Sequence, residues 1–504
     1  MTTDTPYTQI GSLLRAAIAI SVCLLAARLA LAEVIGFGDA EALYASYAIF
    51  KQATYLDHPG LIGWIGSLIA GDRGSPSPIV AHRVTSIAAT AVPWLSGVAA
   101  RCAGASNRGA IVTVVAVAIV PEIAIGLFAF TPDLPLAFAW FGALAFASIA
   151  IRTPPSSAGS QWATIGAGLF AGVASASKAS GVLLAVSLAA TWLSKPMRTR
   201  LRTVAPYAAV FAGFVTVMPM VYREVSLGWP MLTHRLVSTQ AGLGLSMRNI
   251  GALIGGQLLY LTPFVAAVIV IVAFDLFKHA NDDPINRLLF NCSVPPFIAL
   301  AILTALSRVA EPHWIAPAYL ALALHLGRSA DRLTINRKLV IAAIATSILS
   351  IAIVFSLVRY PILPKHLGKH YEARYDLVND LYAWQSGGPF IEEEVTRVRG
   401  GRSDTPTIVG PHWIICAQVQ AAIGKTVRVG CETPQGDDFQ IISPRSSWED
   451  EPVLLFVTDD RFPVDLASRF PDRTVSGVSR TSLRRGGVTV RTIRLTALTR
   501  AAKS

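Results

Sequence analysis

The sequence reads Gly38-Asp39-Ala40-Glu41-Ala42-Leu43-Tyr44 directly after its first long apolar run, and Tyr55-Leu56-Asp57-His58-Pro59-Gly60 follows shortly afterwards. Two carboxylates stand two residues apart, and an Asp-His pair is ended by Pro-Gly. A connection between two membrane helices does not need polar side chains at this density. Because binding and catalytic residues concentrate in loops held by a rigid scaffold, we interpret this stretch as an active-site loop at a membrane surface.

The composition is typical of a polytopic membrane protein. Of the 504 residues, 53% are hydrophobic and 15% are charged, and the mean hydropathy is +0.52. A soluble chain carries about 25% charged residues. The formal net charge is +12, but no basic patch with interleaved aromatic residues occurs. We therefore assign the excess charge to short loops that orient membrane helices, and we expect a lipid bilayer and no nucleic acid as a partner.

The apolar runs predict a mostly α-helical membrane protein with about eleven spans, with an error of about two. The first, Leu13–Ile35, is interpreted as an anchor that stays in the chain. Between it and the next span, Ala42–Phe50 is predicted as a short amphipathic surface helix, and Leu61–Ala70 is too short to span. The other spans are predicted at Ile79–Ala100, Ala110–Phe128, Leu134–Ile151, Trp162–Ala176, Gly181–Leu193, Val204–Val221, Ile250–Phe274, Leu288–Leu306, Trp314–Leu326 and Leu339–Leu357.

Basic residues in alternate loops orient these spans. Loops rich in Arg and Lys, such as the one with Lys195, Arg198 and Arg202, are predicted to be cytoplasmic. The acidic stretch then lies on the outer side. With an odd number of spans, the N-terminus is predicted inside and the C-terminal tail outside.

The composition changes near Arg359, after which charges, Gly and Pro rise. We predict a transmembrane domain over residues 1–358 and an extracytoplasmic α/β domain over residues 359–504. Strands are predicted at Thr407–Val409, Val453–Val457 and Val488–Leu495, and a helix at Trp413–Ile423. In this tail, Cys416 and Cys431 either form a disulfide, if the tail is extracytoplasmic, or remain two unpaired thiols.

The candidate functional side chains lie in the predicted outer loops. Asp39 and Glu41 suit a general base for an acceptor hydroxyl or a divalent-cation site, and they equally suit the first turn of a helix. Asp133, after Thr131 and Pro132, also suits a helix start. Basic side chains suit a lipid phosphate, although each one alone also suits snorkelling to the interface. They are His82, Arg83, Lys178, His234, Arg235, Arg308 and His313.

Soluble-enzyme motifs do not occur in the sequence: it has no P-loop, no GxSxG, no HExxH and no CxxC metal pattern. No cofactor is therefore predicted with certainty, and a divalent metal remains compatible with the carboxylates.

The order of these motifs resembles a known family. After the acidic pair come Thr131-Pro132-Asp133-Leu134-Pro135-Leu136, then a Gly-rich segment ending at Lys178, then Glu311-Pro312-His313-Trp314. Over roughly residues 10–360 this resembles the bacterial membrane glycosyltransferases related to dolichyl-phosphate-mannose protein mannosyltransferases and to the aminoarabinose transferase of lipid A. In the tail, Gly410-Pro411-His412-Trp413 with Gln418 resembles a motif of some relatives, to which we assign no role.

The resemblance implies an inverting transfer of a sugar from a polyprenyl-phosphate donor to an extracytoplasmic acceptor at the inner membrane of a bacterium. The acceptor classes are lipid A, a glycan, another lipid or a protein. The family's base is an Asp of the first outer loop, which carries over to Asp39. Because relatives have adjacent Asp-Glu where this chain has Asp39-Ala40-Glu41, Glu41 is the alternative base. The other implied substrate-binding residues are His58, Arg83, Asp133, Lys178, Glu311 and His313.

Two other classes of function remain open. A flippase or transporter of lipid-linked sugars needs polar residues deep in its spans, and Glu122 and Gln257 are the main ones found. A non-enzymatic envelope scaffold, in contrast, tolerates neutralisation of Asp39, Glu41 and Lys178 together.

Overall fold

The structure is a computed structural model that describes residues 6–238, 244–306, 311–400, 405–433 and 437–501. Its α-carbon contacts divide the chain into two compact units. Unit 1 consists of Met1–Arg28 and Thr85–Ile353, and unit 2 consists of Leu29–Val84 and Val354–Ser504. The segment Leu29–Val84 thus groups with the C-terminal residues. The predicted domain boundary near residue 358 stays a prediction.

Helices dominate the first 360 residues. They are α1 (Pro6–Ala32), α2 (Asp39–Tyr47), α3 (Leu61–Leu68), α4 (Pro78–Cys102), α5 (Asn107–Ile119), α6 (Pro121–Gly126), α7 (Asp133–Arg152), α8 (Ala158–Ser177), α9 (Val182–Trp192), α10 (Ala205–Ser226), α11 (Pro230–Thr233), α12 (Met247–Leu261), α13 (Pro263–His279), α14 (Pro284–Asn291), α15 (Val294–Leu306), α16 (Ala316–Ser329) and α17 (Arg337–Arg359). Short 3-10 turns include Ala179–Gly181, Lys195–Arg202 and Pro312–Ile315.

The core of unit 1 is built around α7, whose Trp140, Phe141 and Leu144 are fully buried. Helices α8 and α10 approach closely because small residues line their contact. A Cβ atom added at Gly168 on α8 would lie 2.2 Å from the carbonyl oxygen of Ala209 on α10. Small residues at such contacts let helix backbones pack closely, which is typical of membrane helices.

Five helical stretches of the described residues are long and apolar enough to cross a membrane, by length and composition. They are Ile10–Ala32, Asp133–Arg152, Ala205–Ser226, Pro284–Leu306 and Arg337–Arg359. The chain is therefore a multi-pass membrane protein, whereas the count of about eleven spans stays a prediction, since several predicted spans fall on shorter helices.

One predicted span, Ile250–Phe274, is not a straight helix. It divides into α12 and α13, which bend by 99° relative to each other. The break falls at Thr262, whose φ is 64°, and at Pro263, which has no N–H to continue the helical hydrogen bonds. Thr262 instead caps the N-terminus of α13 through its side chain.

The predicted surface helix Ala42–Phe50 corresponds to α2, but this helix is not exposed. Residues Glu41 to Tyr47 are all buried, and other elements of unit 2 pack against the helix. Among these elements is the C-terminal helix that carries Gln418, described next.

The C-terminal part of unit 2 is a mixed sheet with flanking helices. Its strands are β1 (Thr407–Gly410), β2 (Val429–Cys431), β3 (Val453–Asp459), β4 (Arg473–Arg485) and β5 (Val488–Arg500), and its helices are α18 (Ile362–Leu367), α19 (Asp380–Arg399), α20 (Trp413–Ile423), α21 (Asp438–Ile442) and α22 (Leu466–Arg469). The strand order is β2-β1-β3-β5-β4. Strands β2, β1 and β3 are parallel, whereas β5 runs antiparallel to both β3 and β4.

The sequence predicted the α/β class of this domain, strands β1, β3 and β5, and helix α20. It missed β2, which has three residues, and β4, whose outward face is polar. The structure also contains the disulfide between Cys416 on α20 and Cys431 on β2, with Cα atoms 6.0 Å apart. The first of the two alternatives for these cysteines is therefore confirmed.

Candidate active site

The predicted site residues fall into both units. Unit 2 contains Asp39, Glu41, His58 and Arg83, and unit 1 contains Asp133, Lys178, Glu311 and His313. Of the other predicted basic residues, Arg308 lies outside the described residues, and His234 and Arg235 begin the π-helical turn His234–Ser238.

Asp39 is the first residue of α2 and uses both carboxylate oxygens. Its Oδ1 accepts a hydrogen bond of 3.1 Å from Nε2 of Gln418, and its Oδ2 accepts one of 2.8 Å from Nη1 of Arg461. The side chain remains 19% exposed. A helix N-terminus also favours a negative charge at this position. Asp39 is therefore fixed on both oxygens while part of its surface stays accessible.

Glu41 has a different environment, although it is only two residues away. Its Oε2 accepts a hydrogen bond of 2.8 Å from the backbone N of Gly38, so the Glu41 side chain satisfies the N-cap backbone donor at the start of α2. Its Oε1 lies 2.8 Å from Nε2 of His82, and the two side chains are 7% and 0% exposed. The interpretation of Glu41 as a residue of the helix start thus fits the structure. His82, which was predicted as a phosphate-binding cation, is instead the buried partner of Glu41.

Arg461 lies at the centre of a group of carboxylates. Besides Asp39, its Nη1 contacts Oδ1 of Asp380 at 3.1 Å, and its Nε donates to Oδ2 of Asp459 at 2.8 Å. Arg491 on β5 also binds Asp380 and Asp459. Burial raises the pKa of both Asp380 and Asp459, while the guanidinium groups oppose this shift.

Arg461 was not predicted as a site residue. It lies 422 positions from Asp39 in a polar loop, so no local pattern indicates its contact with Asp39. The one pattern in the sequence that indicated a role for the C-terminal tail was the motif with Gln418.

Arg83 and His58 both have partners in unit 2. Arg83 forms a surface ion pair with Glu33, with distances of 2.8 and 2.7 Å to Oε1, and is 53% exposed. Such pairs contribute about 0–1 kcal/mol and exchange readily for another anion. The Nε2 of His58 lies 2.8 Å from the hydroxyl of Tyr44.

Asp438, at the start of α21, holds the loop that carries His58. Its Oδ2 accepts from the hydroxyl of Tyr47 at 2.5 Å, and its Oδ1 accepts from the backbone N of Leu56 at 2.6 Å. The ring of Tyr47 stacks on Tyr55 with 3.5 Å between centroids. Burial raises the pKa of Asp438 to about 7. Sequence analysis missed this residue as well.

In unit 1, the structure brings Asp133 and Lys178 together. Asp133 begins α7 and Lys178 follows the end of α8, and Nζ of Lys178 donates to Oδ1 of Asp133 at 2.7 Å. The ammonium group is almost buried, so the carboxylate compensates a charge that would be unfavourable alone.

Glu311 and His313 also lie in unit 1, beside the 3-10 turn Pro312–Ile315. Nε2 of His313 lies 3.5 Å from Oε2 of Glu311, which accepts a 3.1 Å hydrogen bond from Nε1 of Trp314. Burial, reinforced by the charge of Lys178, lowers the pKa of His313. Gln257, one of the two polar residues expected deep in a span, holds this turn by donating to the carbonyl oxygen of Pro312 at 2.7 Å.

Arg28 is a buried charge that the sequence analysis overlooked. It lies within α1, and its guanidinium donates to the carbonyl oxygens of Ile123 and Ala124 and to Thr90. These carbonyls lie in α6, just after the break between α5 and α6. The signal was a lone Arg inside an apolar run, and its contacts indicate a structural role.

No three or more His, Cys, Asp or Glu side chains are arranged to hold a metal ion within the part of the chain that the structure describes. Both oxygens of Asp39 accept from nitrogen donors, which a cation would have to displace. The compatibility of the carboxylates with a divalent metal stays untested.

Residues 57–222 match the profile of the family described as dolichyl-phosphate-mannose-protein mannosyltransferase. No curated protein matches the sequence. Among solved structures, ArnT from Cupriavidus metallidurans in the apo state aligns with a TM-score of 0.62 and 15% identity, over 96% of this chain and 98% of that chain.

ArnT from the same organism bound to undecaprenyl phosphate aligns with a TM-score of 0.60 and 16% identity, over 97% of this chain and 98% of that chain. The oligosaccharyltransferase of Archaeoglobus fulgidus in the apo form aligns with a TM-score of 0.51 and 11% identity, over 88% and 69% of the two chains. The chain therefore has the fold of ArnT, and its residues 57–222 are similar to the dolichyl-phosphate-mannose-protein mannosyltransferase family.

Proposed function

We propose that this protein is a glycosyltransferase of the bacterial inner membrane that moves a hexosyl or pentosyl group from a polyprenyl-phosphate donor to an extracytoplasmic hydroxyl. The family match over residues 57–222 and the fold of ArnT, one structure of which contains undecaprenyl phosphate, support this proposal. The acceptor belongs to one of four classes: lipid A, a glycan, another lipid or a protein.

The proposed base is Asp39, and the environment of its carboxylate carries this assignment. A general base must reach the proton that it removes. Asp39 is held by Gln418 and Arg461 yet stays partly exposed, whereas both oxygens of Glu41 are engaged within the buried start of α2. Glu41 is therefore assigned to the support of the loop.

The reaction is a single displacement. The acceptor oxygen bonds to the anomeric carbon as the bond from that carbon to the phosphate oxygen breaks. The acceptor proton moves to Asp39, and the polyprenyl phosphate leaves with the electron pair. Attack opposite the leaving group inverts the anomeric configuration. Because the leaving phosphate is already acidic, it needs cationic partners and no strong general acid.

His58, Arg83 and Lys178 are our proposed partners for the donor phosphate. The surface ion pair of Arg83 with Glu33 is of a kind that an incoming phosphate displaces at little cost. Asp133, Glu311 and His313 are proposed substrate-binding residues. These six assignments rest on the resemblance described above.

The proposed orientation has the N-terminus in the cytoplasm and the C-terminal domain outside. The Cys416–Cys431 disulfide supports this orientation, since disulfides persist in oxidising compartments and are rare in the cytosol.

Sugar transfer in membranes supplied with radiolabelled polyprenyl-phosphate sugars tests the proposal. Asp39→Asn should lower the transfer rate by about 100-fold or more, because removal of a general base has an effect of this size. Asp72→Asn, in an exposed part of the same segment, is the matched control and should leave transfer unchanged. Glu41→Gln should affect the amount of folded protein more than the rate per folded molecule.

Wild-type transfer by a folded Asp39→Asn variant would remove Asp39 from the mechanism. Failure of wild type to transfer sugar from any donor class offered, in membranes that contain all four acceptor classes, would favour the transporter alternative.

A further inference from the structure

We propose that the C-terminal α/β domain is part of the catalytic machinery, with Arg461 and Gln418 as positioning residues that fix the carboxylate of Asp39. This inference rests on the proposed role of Asp39 as the base. It gives the domain a function that the resemblance over residues 10–360 does not cover.

Two hydrogen bonds fix the orientation of the Asp39 carboxylate. Gln418 and Arg461 come from different elements, α20 and the segment after β3, and each binds a different oxygen of Asp39. Two donors on two oxygens fix the rotation of the carboxylate as well as its position. Nε2 of Gln418 also donates to the carbonyl oxygen of Phe37 at 3.1 Å, so it holds the backbone before the proposed base too.

Arg461 itself is held in place by carboxylates of unit 2. Its backbone N and its Nε both donate to Asp459, at 2.9 and 2.8 Å, and the side chain of Asp459 is fully buried. Asp380 on α19 supplies a further carboxylate at 3.1 Å. Surface arginines are seldom fixed on three sides, whereas a residue that positions a catalytic group must have its own rotamer locked.

The tail motif that had no assigned role contacts the elements that carry Gln418 and Arg461. His412 of Gly410-Pro411-His412-Trp413 caps α20, the helix that carries Gln418. Its ring stacks on Phe462, the neighbour of Arg461, with 4.4 Å between centroids and 14° between planes. The disulfide fixes the same helix to β2. The motif therefore joins the two elements that contact Asp39.

The expected effect follows from pre-organisation. A catalytic group that is misplaced by about 1 Å can lose about 100-fold in rate. In this proposal Arg461 and Gln418 contact the base Asp39 and neither the donor nor the acceptor, so their loss should lower kcat and leave the KM for the donor nearly unchanged.

The test compares Arg461→Gln, Gln418→Ala and Arg461→Ala in the full-length protein in membranes, with polyprenyl-phosphate sugar as the probe. We expect Arg461→Gln to lower kcat by about 100-fold with little change in KM. Added guanidinium ion should restore part of the activity of Arg461→Ala. The matched control is Arg480→Gln, an exposed arginine of β4, which should behave as wild type and show no response to guanidinium.

A double-mutant cycle separates positioning from a general loss of structure. If Arg461 acts through Asp39, then Arg461→Gln should cause no further loss in an Asp39→Asn background. An additional loss of the same size in that background would overturn the proposal. Gln418→Ala leaves no buried charge unpaired, so it keeps the test valid if the Arg461 variants do not fold.

The two proposals fail in different ways. Activity in folded Asp39→Asn would refute the assignment of the base. Loss of activity in Asp39→Asn with normal kcat in Arg461→Gln and Gln418→Ala would refute the positioning role and leave the base assignment intact.

Discussion

At the scale of single residues, Asp39 and Glu41 show how two neighbouring carboxylates take separate roles. One is bound to an amide and a guanidinium from the C-terminal domain, and the other is bound to its own helix start and a buried histidine. The sequence identified both as candidates, and it could not choose between them, because their partners lie far away along the chain.

Asp438 leads to a prediction about pH. Burial raises its pKa from an ordinary 3.8 to about 7. Between these values the folded state binds more protons than the unfolded state, so the contribution of Asp438 to stability falls as the pH rises through this window. The full difference amounts to about 4 kcal/mol at most. Asp438→Asn removes this titration.

The measurement is the stability of wild type and Asp438→Asn against unfolding, at about pH 5 and about pH 8. We expect the difference in the free energy of unfolding between wild type and variant to shift against the wild type at the higher pH. Equal differences at both pH values would show that Asp438 does not titrate in this window.

At the scale of secondary-structure elements, the local sequence pattern predicted the apolar helices and strands. It missed the elements that form only because of tertiary contacts. Strand β3 is a continuous apolar run and was predicted. Strand β4 has polar residues over most of its length and pairs because β5 lies beside it, which no local signal encodes. Likewise, the apolar run across α12 and α13 was predicted as a single span, and the break that Pro263 signals was not taken into account.

The same contrast applies to the candidate site. Asp39, Glu41, Asp133 and Lys178 were found because charges near apolar runs are conspicuous. Arg461 and Asp438 were not found, because they lie in polar segments where charged residues are ordinary.

Helix α20 leads to a prediction about the disulfide. Its Cys416 and Cys431 are separated by 15 positions, and closing a loop of this size stabilises a fold by about 3 kcal/mol. Replacing both cysteines by Ser should lower the stability of the C-terminal domain by about this amount. Limited proteolysis during a temperature series is the measurement, and Cys102→Ser is a control with a cysteine that is free in the structure. Unchanged protease resistance in the double variant would contradict this prediction.

At the scale of the whole molecule, unit 2 consists of two segments that are far apart in the chain. The sequence did not predict this grouping. Residues 29–84 group with the chain from Val354 onward. Sequence reasoning took the boundary from a change in composition, which reports where apolar runs end and gives no information on which distant segments pack together.

The proposed topology predicts a pattern of chemical labelling. In a chain whose free cysteines at 23, 102 and 292 are replaced by Ser, Arg480→Cys should react with a membrane-impermeant maleimide in intact spheroplasts. Arg198→Cys, in the loop predicted to be cytoplasmic, should react after permeabilisation and not before. The reverse pattern would invert the proposed orientation.

The distance along the chain between Asp39 and its partner has a consequence for biosynthesis. Asp39 leaves the ribosome 422 residues before Arg461, which corresponds to roughly 20–80 s of translation at typical rates. During this interval Asp39 cannot form its ion pair with Arg461, so under the proposed mechanism a chain that is released early should be inactive. The proposal thus predicts that activity is acquired late in synthesis, after the part of the chain that contains Arg461 has been made.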